Sequence, residues 1–496
     1  MNKFYITTPL YYVNAEPHIG HAYTNIVADA FARYMRKIIG DENVWFLTGT
    51  DEHGQKIEQV ARQMSLEPND FTDRMVLKFK ELWEKLDISY NDFIRTSEIR
   101  HIQIVEKVLD ILYRQHDIYL SEYQGWYCIP CETFWTEPQE GLVCPDCKRP
   151  LEKISEKNYF FKLSKYQDWL LGYLEKNHTF IKPEYRYEEV RSFLKLNKLN
   201  DLCISRPKER LRWGITLPFS KEHVTYVWFD ALLNYISAVG DFDSQGKYHS
   251  RWWPADIQLI GKDILRQHAI YWPIILHALG IEPPHCIFAH GWWMIGGGKM
   301  SKSKGNIVSP LDIGQRYGVD ALRYFLLREV SLGMDGNFSE EAIVRRYNFD
   351  LANDLGNLVY RTINIIERYF LGKIPQLEIK EEGVDEQSRQ IIIKIESLRK
   401  TDIMSIADFN FSYILERVWE LINMTNKYIE DKKPWSMFKE NKIEDLKVFI
   451  NVLIRAIREV AYNLSPFMPA TSNSILEQLG DREIKKGKLL FPRIDV

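Results

Sequence analysis

Two imidazoles stand three residues apart in Pro17-His18-Ile19-Gly20-His21, and far downstream three lysines crowd into Lys299-Met300-Ser301-Lys302-Ser303-Lys304. Histidine N–H groups can donate to phosphate oxygens, and a lysine-bearing loop can lay positive charge over a polyphosphate. Gly296-Gly297-Gly298-Lys299 does not make a P-loop, because Trp293 stands where that motif needs its first glycine and Met300 where it needs Ser or Thr. A third group is cysteine: Cys128-x-x-Cys131, then twelve residues, then Cys144-x-x-Cys147. Two such turns can close a tetrahedral Zn²⁺ site, and four thiolates leave no open position, so the spacing predicts one structural zinc. Cys203 and Cys286 stand alone and read as buried small residues.

The elements around these residues follow from pattern. "KFYITTPLYYV" is rich in β-branched and aromatic residues and reads as a strand, and "AYTNIVADAFARYMRKIIG" has helical apolar spacing that stops at Gly40. The histidines therefore sit at a strand-to-helix junction, where free N–H groups and the positive dipole end face an anion. Strand-like and helix-like segments alternate through "NVWFLTGTDEHG", "QKIEQVARQM" and "DIQLIGKDILRQHAIYWPIIL", which predicts a parallel α/β sheet. Beyond residue 345 all but five of the 26 glycines have been passed. There Leu351, Leu355, Leu358, Val359, Thr362 and Ile366 share one helical face, predicting an all-helical region.

The 496-residue chain has 45% hydrophobic and 27% charged residues and a net charge of −3. That is ordinary for a globular protein and excludes a global basic footprint, so any nucleic-acid contact must be local. No signal peptide or bilayer-spanning run is apparent, and the cysteine usage does not suit a disulfide framework, so the reading is a cytoplasmic protein without membrane contact.

His-Ile-Gly-His followed by Lys-Met-Ser-Lys-Ser is the paired signature of class I aminoacyl-tRNA synthetases. Along nearly its whole length the chain resembles the methionyl-tRNA synthetase family, through "TTPLYYVNAEPHIGHAYT", "FLTGTDEHGQKI", the cysteine knuckle, "RLRWGITLPF", "YVWFDALLNYI", "LIGKDILRQHAIYWP", "KMSKSKGNIV" and "DLGNLVYR". It departs from parts of the family in having four knuckle cysteines rather than eight, in Leu232 where some relatives have Pro, and in ending without an extra dimer-forming domain. The expectation is one zinc and a monomer.

The resemblance implies a Rossmann-type catalytic domain in two halves (1–115 and 226–345), an inserted knuckle domain (116–225) and a helical anticodon-binding domain (346–496). It implies ATP-dependent attachment of L-methionine to its elongator and initiator tRNA through methionyl-adenylate, with Mg²⁺ accompanying ATP. His18, Gly20 and His21, with Lys299 and Lys302, would meet ATP; Gly261 and Asp263 would meet its ribose. Asp51 and Tyr12 would hold the α-ammonium of methionine. Leu10, Trp228, Ala231, Tyr235, Ile264, His268 and Trp272 would line the side-chain pocket, whose aromatic character suits a polarizable thioether. Asn357, Arg361 and Trp435 would read the anticodon, the first two sharing a helix face and the third following Pro434 beside Lys432 and Lys433. A cysteinyl-tRNA synthetase, a simple nucleotidyltransferase and a zinc-containing RNA-binding module are the rival readings. The first would carry its zinc in the active site, the second would not need the helical region, and the third would not retain both motifs.

Overall fold

Phe4–Thr7 forms strand β1, all four residues buried, but the extended stretch expected to continue from it is interrupted at Pro9 and resumes as β2 (Tyr11–Tyr12). Both pair with β3 (Val44–Asp51), yet Thr7 lies opposite Leu47 while Tyr11 lies opposite Thr50. One residue has been bulged out around a proline that has no N–H to offer. Leu10 closes over β3 there: a Cβ added to Gly49 would lie 2.9 Å from Leu10 Cδ2 and 2.0 Å from the Ile94 carbonyl oxygen.

The computed structural model describes residues 3–128, 133–135, 142–145, 148–295, 298–299, 308–377, 384–407 and 409–495. They fall into two compact units, Met1–His290 and Gly291–Val496.

In the first unit, β4 (Asp92–Arg95), β5 (Ile181–Lys182), β6 (Ile257–Gly261) and β7 (Ile287–His290) complete a seven-stranded sheet of order β2–β3–β1–β6–β7–β5, with β4 on β3. Every pairing in it is parallel, as the alternation predicts. Strand order runs outward from β1 to β3 on one side and through β6 to β7 on the other. The carboxyl ends of β1 and β6 therefore open a crevice at the topological switch point. Helix α1 (Ile19–Ile39) starts there and stops at Gly40, whose φ of 88° suits glycine. An antiparallel four-stranded sheet is inserted between β4 and β6, its longest strand (Ile118–Cys128) ending on the first knuckle cysteine and its edge strand Leu202–Cys203 following β5.

In the second unit, Trp293–Ile295 pairs with Gly298–Lys299 and Gly336–Asn337. Helices follow, among them α4 (Asn357–Phe370), α5 (Phe411–Lys432) and α6 (Pro434–Lys439); the short α2 (Val227–Leu232) and α3 (Asn234–Ser237) belong to the first unit. The six residues assigned to one face, Leu351 to Ile366, are all buried.

Candidate active site

His18 is the N-cap of α1. Its Nδ1 accepts from the Gly20 backbone N–H at 3.1 Å, and the His21 Nδ1 accepts from the His18 backbone N–H at 3.2 Å. A ring nitrogen that accepts from a backbone N–H carries no proton, so each neutral ring holds its proton on Nε2. The rings stack with centroids 3.8 Å apart and planes 21° apart. Two Nε2–H donors thus lie side by side at the positive end of a helix. Burial, and then the neighbouring His18, push the His21 imidazole well below its usual range, so it donates as a neutral ring. Tyr11 and Phe79 brace it at ring distances of 5.0 and 5.6 Å. A Cβ on Gly20 would lie 2.9 Å from His18 Cε1, so the folded-back imidazole itself requires glycine.

Across the crevice, β6 ends at Gly261, where a Cβ would lie 2.6 Å from Asp263 Oδ1. The Asp263 carboxylate therefore lies over the strand end. Opposite Gly261 in register is His290 of β7. The Thr24 hydroxyl donates to the Gly20 carbonyl at 3.2 Å, leaving its oxygen to accept from His290 Nε2 at 2.8 Å. That relay joins α1 to β7.

On the other side of β1, Tyr12 stands opposite Asp51 in the parallel register of β2 and β3. The residues after Asp51 are anchored away from it. Buried Glu52 takes Arg95 in a two-point clasp (2.7 and 2.9 Å) and accepts from Thr50 and Ser97 at 2.6 Å each. His53 Nδ1 meets Asp230 Oδ2 at 2.7 Å, and the second Asp230 oxygen meets His101 Nε2 at 2.7 Å. Burial alone would raise the Asp230 carboxyl, but the two histidines outweigh it and hold it below the usual range.

Asp230 lies on α2 (Val227–Leu232), which also carries Trp228 and Ala231; α3 (Asn234–Ser237) carries Tyr235. The Tyr235 hydroxyl is 2.7 Å from His268 Nε2, and His268 Nδ1 is 2.9 Å from the Ile264 carbonyl. A carbonyl can only accept, so Nδ1 is the protonated nitrogen and Tyr235 donates to Nε2. Burial pushes His268 down to about 4, only partly offset by the Ile264 bond and Asp263. Trp228 meets His268 edge-on at 6.4 Å, and Tyr235 and Trp272 rings lie 5.8 Å apart. Leu10 and Ile264 pack, partly buried, against the same core. The result is an aromatic cluster with a neutral polar pair within it.

Comparison with known proteins identifies the family. The family described as tRNA synthetases class I (M) matches residues 4–153 and 150–363. Methionine–tRNA ligase of Caldanaerobacter subterraneus subsp. tengcongensis is 47% identical over 514 residues, covering 99% of this chain and 79% of that protein. The chain belongs to the class I methionyl-tRNA synthetases. The Bacillus subtilis methionine–tRNA ligase is 44% identical over 527 residues, covering 100% of this chain and 79% of its own. The methionyl-tRNA synthetase of Mycobacterium tuberculosis, solved with methionyl-adenylate, superposes with a TM-score of 0.93 at 36% identity over 99% of this chain and all of that one. The activity of the synthetase is methionine activation and tRNA charging.

Several residues singled out from the sequence are thus gathered around the switch point of the first unit: His18, Gly20 and His21 on α1, Gly261 and Asp263 at β6, Tyr12 and Asp51 on β2 and β3, and the pocket residues beside them. Lys302 lies outside the described residues; Lys299 lies in a two-residue strand of the second unit. Cys131 and Cys147 also lie outside the described residues. Their partners Cys128 and Cys144 are both fully buried in one small cluster with Leu151, which fits two thiols converging from two knuckles. Among the described residues no group of three potential metal ligands comes together. Cys203 and Cys286 are buried as expected, burial pushing their thiols up to about 11 and about 12.

In the second unit Asn357 and Arg361 begin α4, and Arg361 reaches Glu430 on α5 at 3.5 Å. Helix α5 ends at Lys432, Lys433 turns left-handed (φ 47°), and α6 starts with buried Pro434 and Trp435, the latter 44% exposed. Among the described residues no helix is long and apolar enough to cross a membrane. Sequence reasoning passed over Glu52, His53, His101, Asp230, Thr24 and His290. The run Asp51-Glu52-His53 at a strand end was a usable signal; His101 and His290 offered none.

Proposed function

We propose the following division of labour within methionine activation and transfer. The methionine carboxylate attacks the α-phosphate of ATP and pyrophosphate leaves, so the protein's task is positioning and stabilisation of charge spreading onto phosphate oxygens. His18 and His21 donate through Nε2 to those oxygens; the observation that carries this is the crosswise Nδ1 bonding, which leaves each neutral ring only its Nε2–H to give. Gly261 and Asp263 meet the ribose. Lys302, with Lys299, brings positive charge to the triphosphate. Asp51 and Tyr12 hold the α-ammonium, and Leu10, Trp228, Ala231, Tyr235, Ile264, His268 and Trp272 enclose the thioether.

Mg²⁺ accompanying ATP supplies neutralisation of phosphate charge. Cys128, Cys131, Cys144 and Cys147 would hold one structural zinc, which would cross-link the two knuckles. Asn357, Arg361 and Trp435 read the anticodon of tRNA(Met), the exposed indole stacking on an unpaired base. Residues 1–115 and 226–345 form the catalytic domain, 116–225 the insert and 346–496 the anticodon domain. The synthetase acts in the cytoplasm. ATP–pyrophosphate exchange against a panel of amino acids tests the reading: methionine alone should sustain fast exchange, and a preference for cysteine or exchange without any amino acid would overturn it.

A further inference from the structure

The two ends of the methionine site are carried by elements with no covalent continuity. Asp51 closes β3, Trp228 and Ala231 ride on α2, and Tyr235 rides on α3. Helix α2 is six residues long and its N-cap side chain makes no capping bond, so its placement depends on tertiary contacts. One buried group ties all three elements. Asp230, between Trp228 and Ala231 in sequence, is 0% exposed, and each of its oxygens lies 2.7 Å from a ring nitrogen. One ring belongs to His53, two residues beyond Asp51, itself held edge-on by Trp213 at 5.3 Å. The other belongs to His101, whose Nδ1 is 2.8 Å from the Ser237 hydroxyl on α3. A buried carboxylate is tolerated only with such partners, and its bonds are directional, so the network holds distances as well as contacts.

We infer that Asp230, clasped between His53 and His101, is a positioning residue that sets the span from the ammonium end of the methionine site at Asp51 to its side-chain end at Trp228, Ala231 and Tyr235. Asp230 is fully buried with each carboxylate oxygen held by a ring nitrogen, so it acts through the elements it joins. The inference rests on the methionine-site reading above. Loosening the network leaves the histidine pair of α1 where it is, so methionine binding and chain-length selectivity suffer while ATP binding does not.

Asp230→Asn keeps the shape and replaces one acceptor by an amide donor, and Ser237→Ala removes the outermost bond of the network together with the local bond from the Ser237 hydroxyl to the Asn234 carbonyl. In ATP–pyrophosphate exchange, Asp230→Asn should raise the methionine KM about 10-fold or more with the ATP KM within about 2-fold. The kcat/KM preference for methionine over ethionine, one methylene longer, should shrink with it, because that selectivity depends on a fixed pocket length. Ser237→Ala should shift the same two quantities in the same direction by about 2- to 5-fold, and it decides the matter if Asp230→Asn does not fold. Methionine and ATP KM rising together, or an unchanged ethionine preference, would overturn the inference. Asp51→Asn separates the two levels. If it raises the methionine KM while Ser237→Ala and Asp230→Asn do not, only the positioning role fails; if it leaves the methionine KM unchanged, the reading of the site fails.

Discussion

The Tyr235 hydroxyl donates to His268 Nε2 at 2.7 Å, while His268 spends its only N–H on the Ile264 carbonyl at 2.9 Å. The pair is neutral and self-satisfied, which suits a pocket for an apolar sulfur-containing side chain better than one for a charged group. Its neutrality has a measurable consequence. His268 ionises near 4 in the folded protein, against roughly 6.5 when unfolded. The unfolded chain therefore binds the extra proton between those values. The stability tied to the neutral ring is present above about pH 6.5 and is lost as pH falls toward 4, by about 1.4 kcal/mol per pH unit. Urea unfolding of wild type and His268→Gln between pH 4.5 and 7 checks this; equal slopes would contradict it.

Gly20→Ala should lower kcat for exchange by about 10- to 100-fold with little change in methionine KM, because the added methyl lies 2.9 Å from His18 Cε1 and turns the imidazole out of its cap. His18→Ala should lose the donor and about 1 kcal/mol of capping stability together. A Gly20→Ala enzyme with wild-type kcat would show that the orientation of His18 is immaterial.

Lys302→Ala should reduce kcat for adenylate formation and leave methionine affinity nearly unchanged, since a charge that meets the triphosphate in the transition state contributes little to binding methionine. An unchanged kcat with a raised methionine KM would remove Lys302 from that role.

Atomic absorption should find one zinc per chain, lost in Cys128→Ser and in Cys147→Ser. Those variants should show proteolytic sensitivity within 116–225 before any specific loss of the chemical step. A fully active wild-type chain without zinc would refute the knuckle assignment.

Trp435→Ala should cripple aminoacylation of tRNA while leaving ATP–pyrophosphate exchange near wild type, the lost stacking being worth ~1–3 kcal/mol. Its 44% exposure beyond the Lys433 turn leaves the indole available to a base. If exchange falls as far as aminoacylation, the side chain supports the fold rather than the tRNA.

Much of this was written locally along the chain. Hydrophobic periodicity reports which face of an element is buried, so the parallel sheet, the start and stop of α1 and the buried stripe from Leu351 to Ile366 were legible from residue types alone. Family motifs nominated the residues of the first unit that now lie around one crevice. What periodicity cannot carry is the choice among distant partners. His53 finds Asp230 across 177 positions and His101 finds it across 129, and nothing in the neighbourhood of any of the three marks the others. The bulge at Pro9 that brings Leu10 over Gly49 depends on the register of β3, and the tautomers of His18 and His21 depend on a cap that forms only once α1 has a fixed beginning. The sequence by itself determined the elements and the chemistry available to them. The tertiary structure alone decided which groups share a proton, because hydrogen bonds become specific only when folding has excluded the water that would otherwise take either place.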